Sequence, residues 1–478
     1  MGALAPPYDR RVQLLTVTRP RTVRLVAAAV VLQLSAGLLS AVVVREPTAP
    51  PPTPASVRAA PDQQVERAAG APLEVAPAPT PATAQPDAGR GAQVEQLLQA
   101  RSAAILGRDR AAFLATVDPK AFALAARQAA MFDALAEVPL ASWDYSLNRL
   151  SRQPADAALD QRYGRNQWWA PAVSLSYAVA GFDERPSTDE HHLTFVRRDG
   201  RWLLGADDDF DATGGRTPRA LWERGPVVAV RAPGVLVLGH QNSPLLRDVA
   251  AQAAAAIPRV TAVWGTQWPQ RVVVLVPASA GEMASLIDST QDLSQIAAVA
   301  TAEFSGQSGA DGTATDRILV NPETFPKLGQ LGRRVVLTHE VTHVAVRRAT
   351  GPLVPAWLAE GFADYIGYKD VTVPLSVAAR DLRKDVRAGK LPTMLPADDA
   401  FAGNNAALAQ AYEQSWLVVR LLAEQYGEAG LLRFYRAIGV SRGMPESVVL
   451  STELTDEFGI DTARLTADWR ATLQRQLG

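Results

Sequence analysis

Two histidines four residues apart, with a glutamate directly behind the first, sit in the run Arg333-Arg-Val-Val-Leu-Thr-His339-Glu340-Val-Thr-His343-Val-Ala-Val-Arg347. Its apolar positions, Val335, Val336, Leu337, Val341, Val344 and Val346, and its lack of proline predict a buried helix. On that helix the two imidazoles stack on one face. Whatever the chain folds into must bury two rings and a carboxylate side by side, which is costly without a cation. The spacing lets two imidazole nitrogens reach one Zn²⁺ at about 2.0–2.1 Å, with Glu340 displaced around the helix toward a water beside the ion.

The chain contains no cysteine, which excludes disulfides and thiolate ligands, so a metal must be held by His, Asp or Glu. A catalytic zinc site takes three protein ligands and leaves one position open. Twelve residues beyond His343, the run Pro355-Ala-Trp357-Leu-Ala-Glu360-Gly361-Phe-Ala-Asp364-Tyr365 predicts a second helix entering at Pro355. Glu360 can supply the third ligand. Asp364, one turn later on the same face, can accept the other ring N–H of His339 and fix its tautomer.

Together, "HEVTH" and "EGFAD" resemble the gluzincin metallopeptidases, the branch that contains thermolysin and the zinc aminopeptidases, whose pattern is HExxH followed by Glu-x-x-x-Asp. For residues 220–478 the resemblance implies a catalytic domain made of a sheet, an active-site helix and a helical C-terminal part. It also implies Zn²⁺ as cofactor, a peptide or protein substrate, and Glu340 as general base. Further along, Ala411-Tyr412-Glu413-Gln414-Ser415-Trp416 is similar to the "YEKG" helix of the aminopeptidase-type members, which implies that Tyr412 stabilises the tetrahedral intermediate. Gln414 and Ser415 stand where that motif has Lys and Gly. No upstream glycine- and glutamate-containing motif for a free amine is found, which points to endopeptidase or narrow processing activity.

Strands are expected at 227–230, 235–239, 272–276, 297–304 and 317–320, with a helix over Leu246–Ile257 that stops before Pro258. A peptide would pair with the edge near 297–304 or 317–320. No Walker-type phosphate loop or GxSxG elbow occurs. With 48 basic against 49 acidic residues the chain has no basic field, so nucleic acid is excluded as partner.

The first 92 residues read differently. Leu25 to Val44 carries no charge and, as a helix, would span about 30 Å, which predicts one transmembrane helix. Arg10, Arg11, Arg19, Arg21 and Arg24 precede it, so residues 1–24 form a basic cytoplasmic tail and the remainder lies outside, at the plasma membrane, in preference to secretion after signal cleavage. Residues 45–92 hold 11 of the 34 prolines and read as a disordered linker.

Residues 93–215 predict two or three helices, then strands at 143–147, 173–179 and 192–196, and a hairpin turn at Asp199-Gly200 leading into Arg201-Trp-Leu-Leu204. This order and the closing strand resemble the cone-shaped α+β domain of nuclear transport factor 2-like proteins, which gives an accessory binding or spacing module. Adjacent His191 and His192 should face opposite ways on a strand. Asp207, Asp208, Asp209 and Asp211 read as a solvated acidic turn. The fold class is thus multidomain α+β. Two other functions fit the same residues: a non-catalytic surface sensor with a structural zinc helix pair, and a zinc hydrolase of non-peptide amides.

Overall fold

The computed structural model describes residues 24–30, 87–148, 156–289, 293, 296–303, 315–350, 354–401, 405–441 and 444–478, with the backbone alone at 24–30, 87–88 and 302–303. The first element, β1 (Arg24–Val30), is a strand. The transmembrane helix expected over 25–44 is therefore not what its first residues form. Their Leu-Val-Ala-Ala-Ala-Val sequence runs extended and antiparallel along residues 296–303, so the edge near 297–304 expected to take a peptide is occupied by this segment, and residues 317–320 lie in an interior strand paired on both sides. Residues 31–44, the tail 1–23 and the linker up to 86 lie outside the described residues. No helix among the described residues is long and apolar enough to cross a membrane.

The accessory domain starts with α1 (Asp87–Leu106), which begins inside the stretch expected as linker, and continues with α2 (Arg110–Leu114) and α3 (Phe122–Ala134). After these come β2 (Leu140–Leu147), α4 (Ala157–Tyr163), β3 (Trp168–Trp169), β4 (Ala172–Val179), β5 (Ser187–His192), β6 (Thr194–Arg198) and β7 (Arg201–Ala206). Helices precede antiparallel strands, as expected, but the strands form two three-stranded sheets, β2-β4-β5 and β3-β6-β7, and the chain passes between them at Leu193. Asp199 and Gly200 both have positive φ, 46° and 83°, and Arg198 pairs with Arg201, the backbone of a two-residue hairpin turn.

The second unit begins with β8 (Val228–Ala232), β9 (Val235–Gly239), α5 (Pro244–Trp264) and β10 (Val272–Val276). Then follow α6 (Ala280–Leu286), β11 (Ile296–Glu303), β12 (Thr315–Val320), α7 (Gln330–Thr350) and α8 (Ala356–Tyr368). The C-terminal helices are α9 (Leu375–Ala378), α10 (Arg380–Arg387), α11 (Leu408–Val440), α12 (Glu446–Phe458) and α13 (Thr462–Leu477). The sheet order is β1-β11-β12-β10-β9-β8, with β9, β10 and β12 parallel and β1, β11 and β8 running against their neighbours. Helix α5 continues through Pro258 because Val260, Val263 and Trp264 are buried in the core, which outweighs the roughly 3 kcal/mol that an interior proline costs.

Strand alternation explains how the two units join. Val235 and Val237 of β9 pack with α5 and α7, whereas Leu236 and Leu238 point to the other face, into a cluster with Phe132, Leu135, Val138, Trp143 and Tyr177 of the accessory domain. The accessory domain covers one half of the sheet's outer face, and α6 with Met283 and Ile287 covers the half at β11 and β12.

Candidate metal centre

The inner face of the sheet carries α7, and α8 packs across α7 so that their two short motifs meet. His339 and His343 of α7 and Glu360 of α8 are all buried, and one ligand atom from each lies within 4.8 Å of the other two. His339 Nε2 stands 3.0 Å from His343 Nε2 and 3.0 Å from Glu360 Oε2, and His343 Nε2 stands 3.3 Å from the same oxygen. Three donors at about 2.0–2.1 Å from a tetrahedral ion must be roughly 3.3 Å apart, the length of a tetrahedron's edge. The triangle is one face of that tetrahedron.

Asp364 Oδ1 lies 2.8 Å from His339 Nδ1, so His339 donates there and its Nε2 lone pair faces the other two donors. His343 Nε2 faces the same point, so a cation there would be met by two lone pairs and a carboxylate oxygen, the same three atoms that a proton on His339 Nε2 shared with Glu360 would otherwise hold together. The residues present fit zinc. In the metal-free protein burial pushes His343 down to about 4, whereas His339 is raised because Asp364 and Glu360 outweigh the burial that would lower it. Burial would also raise Glu360, but His343 and His339 hold it down to about 2, in the anionic form a ligand needs.

Glu340 is not part of the triangle. Its side chain is fully buried, neither carboxylate oxygen has a hydrogen bond of ordinary length among the described residues although the Ala300 backbone lies near enough to favour its charged form, and burial pushes its pKa up to about 8. Tyr412, near the start of α11, brings its ring to 6.2 Å from that of His339, with Phe401 edge-on at 5.3 Å. Its hydroxyl is also buried with no hydrogen bond of ordinary length, and burial, together with the charge of Glu360 and a weak hydrogen bond toward it, raises its pKa well above the ordinary phenol range. A buried base and a buried donor, neither held in a hydrogen bond of ordinary length and both beside three converging ligands, are equipped to move a proton and hold an oxyanion. All six residues expected at the site meet in one place.

Sequence reasoning missed the residues that hold this geometry. Gly361 lies where α8 crosses α11, and a Cβ there would stand 2.3 Å from the Ser415 carbonyl oxygen, so only glycine allows Tyr412 this close. Glu413, next to Tyr412, accepts from the Leu382 amide at 2.6 Å and the Asp381 amide at 3.3 Å, tying α11 to the start of α10. Arg347, one turn past His343, bonds Asp316 and the Ala300 carbonyl. The available signals were a glycine inside a helical pattern and charged residues inside apolar runs.

The residues singled out in the accessory domain take other roles. His191 is buried and His192 half-exposed, as adjacent strand positions require. The acidic turn is solvated only in part: Asp208 and Asp211 are exposed, but Asp207 pairs with Arg127 at 2.6 Å and Arg219 at 2.7 Å, and Asp209 with Arg162 at 2.6 Å. These cations draw the carboxylates inward and make the turn part of the domain's structure.

No protein-family profile matches the chain, and no curated protein matches it. Among solved structures it is similar to an M1 zinc metallopeptidase from Deinococcus radiodurans, at 16% identity and a TM-score of 0.32 over 58% of this chain and 58% of that one. It is also similar to yeast LTA4 hydrolase in complex with bestatin, at 14% identity and a TM-score of 0.30 over 53% of this chain and 40% of that one. The match spans less than two thirds of either protein.

Proposed function

We propose that this chain is a zinc-dependent hydrolase of peptide bonds, with His339, His343 and Glu360 as ligands. The observation that carries the reading is the donor triangle of 3.0, 3.0 and 3.3 Å, set beside the buried Glu340 carboxylate, which no hydrogen bond of ordinary length holds among the described residues. Zinc held there would polarise the scissile carbonyl and make a water more acidic. Glu340 takes the proton of the attacking water and returns it to the leaving amine, a role suited to a carboxylate raised to about 8 before the ion joins it. Tyr412 donates its hydroxyl to the developing oxyanion, and Asp364 keeps His339 in the tautomer that presents Nε2. A purely structural zinc site would close its fourth position with another protein ligand, and no fourth His, Asp or Glu joins the triad among the described residues.

A diverse peptide library incubated with the zinc-loaded chain and with Glu340→Gln tests this reading. Cleavage by the wild-type chain that disappears in Glu340→Gln, with zinc retained in both, is the expected result. Equal cleavage by the two forms would remove Glu340 from the chemistry. Turnover of simple amides without turnover of any peptide would move the same site to a non-peptide substrate.

A further inference from the structure

Helix α1 carries a positive charge into the interior of the accessory domain. Arg101 is 2% exposed, and its partners are neutral: Nη1 donates to Thr116 Oγ1 at 2.6 Å, Nη2 donates to Gln128 Oε1, and the guanidinium carbon lies 4.3 Å from the centroid of the Phe113 ring. The Tyr145 hydroxyl is near enough to favour the charged form, but Nε has no hydrogen bond of ordinary length among the described residues. Burial is the larger influence and pulls the Arg101 pKa below the ordinary arginine value. Arginine stays protonated all the same, so a full charge is buried here with no carboxylate bonded to it among the described residues.

Two carboxylates border the same space, and both are committed elsewhere. Asp207 is matched by Arg127 at 2.6 Å and Arg219 at 2.7 Å, and Gln128 Nε2 reaches its Oδ2 at 3.5 Å. Glu223 accepts from the Ala220 amide at 2.8 Å and from Arg219 at 3.5 Å. Arg127 and Arg219 thus balance Asp207 and Glu223, and the charge of Arg101 is left over.

Between α1, α3 and the strands lies a cavity of about 20 Å³ that Arg101 and Trp143 both border. Trp143 is also 2% exposed, with its ring 5.8 Å from Tyr177 and 6.1 Å from Trp222, and its Nε1–H has no acceptor among the described residues. Two buried donors, one of them cationic, therefore meet one cavity, and buried donors of this kind are ordinarily satisfied. Much of the remaining wall is apolar, with Met131, Leu175, Leu193 and Leu204. The volume admits a single occupant little larger than water. A water would satisfy the donors and leave the charge, whereas an anion satisfies both. Sulfate and phosphate are too large, and an apolar wall disfavours a strongly hydrated ion such as fluoride.

We propose that the accessory domain binds one small, weakly hydrated monovalent anion, of the size of chloride, between Arg101 and Trp143. The ion completes the interior beneath the surface on which the six-stranded sheet rests, since Trp143 and Trp222 belong to the cluster that receives Leu236 and Leu238 of β9. The site depends neither on zinc nor on peptide cleavage.

The test is a melting series on the full chain in which sodium chloride replaces sodium gluconate, whose anion is too large for the cavity, at constant ionic strength. For the wild type the expected result is a saturable rise in melting temperature, about 3 °C when chloride stands at ten times its half-saturating concentration, reproduced by bromide and absent with fluoride. Arg101→Met should lose the rise, and Trp143→Phe, which keeps an aromatic ring and removes the donor, should need about tenfold more chloride. No rise in the wild type, parallel curves for the wild type and Arg101→Met, or an equal rise with fluoride would overturn the proposal and leave the cavity to water. Should Arg101→Met fail to fold, bromide decides on the wild type alone. Anomalous scattering at the bromine edge, from crystals grown in bromide, should place one ion within bonding reach of Arg101 and Trp143, and a cavity holding only water would contradict the site.

Discussion

Two buried charged clusters, one in each unit, differ in how completely they are satisfied. In the accessory domain Asp207 is nearly inaccessible, yet Arg127 and Arg219 bond its two oxygens at 2.6 and 2.7 Å; burial would raise its pKa, but these arginines hold it below the ordinary range. Asp118 is likewise paired, with Arg198 at 2.9 Å. In the metal centre the burial is as deep, but Glu340 and Tyr412 lack hydrogen bonds of ordinary length among the described residues and two imidazole nitrogens face each other at 3.0 Å. Unsatisfied polar atoms occur in both units, Arg101 Nε and Trp143 Nε1 among them, but the carboxylates differ: Asp207 is matched by two arginines, whereas Glu340 has no ion-pair partner among the described residues, a gap that a bound cation would fill.

Substitutions that exchange the roles of the two clusters would break this contrast. The largest effect is expected for Glu340→Gln, which should keep zinc and melting temperature while lowering kcat by about 10⁴-fold, read from single-turnover cleavage. Asp207→Asn should do the reverse: urea titration should show a loss of about 1.5–3 kcal/mol, because a buried carboxylate gives up its charge-assisted bonds to the exposed Arg127 and the half-buried Arg219, with zinc stoichiometry unchanged. Tyr412→Phe should lower kcat by about 10²–10³-fold with KM preserved, and a matching fall in affinity for a phosphinate analogue would assign that loss to the oxyanion.

Histidine 191 sharpens the comparison through pH. Burial, helped by Arg219, lowers its pKa to about 4, so the folded state binds its proton more weakly than the unfolded state does. Its contribution is therefore present above the unfolded value near 6.5 and is lost as pH falls from there through 4, by roughly 3 kcal/mol. In denaturant melts the stability of the wild type relative to His191→Leu should fall by roughly 3 kcal/mol as pH drops from 7 to 4, whatever their difference at neutral pH. The smallest effect belongs to Asp364→Asn, about 10- to 100-fold weaker zinc affinity by chelator competition, with the fold intact.

Local patterns in the sequence mark out most of the metal centre, because four of its residues fall at helical spacing in two short runs and their chemistry is costly in any other setting. The sheet strands are legible for the same reason: Val235–Gly239 and Val272–Val276 are apolar throughout, as strands covered on both faces must be. What covers the outer face is not legible, since Leu236 and Leu238 look the same whether they meet a helix or another domain. Pairs such as Asp183 with Arg317, 134 residues apart, leave no local trace. Tyr412 stands between these cases: its helix is readable, but its approach to His339 depends on Gly361, whose significance appears only where α8 meets α11. The run beginning at Leu25 shows the reverse failure, for an apolar composition that fits a membrane helix also fits a strand at a sheet edge.

The most direct measurement of the central claim is zinc stoichiometry of the purified chain together with its zinc K-edge absorption spectrum. The account predicts one zinc per chain, bound by two imidazole nitrogens and one carboxylate oxygen, with a fourth position not filled by protein and with the metal lost in His343→Ala and Glu360→Ala. A folded chain that takes up no zinc, or one whose zinc is held by four protein donors, would contradict it.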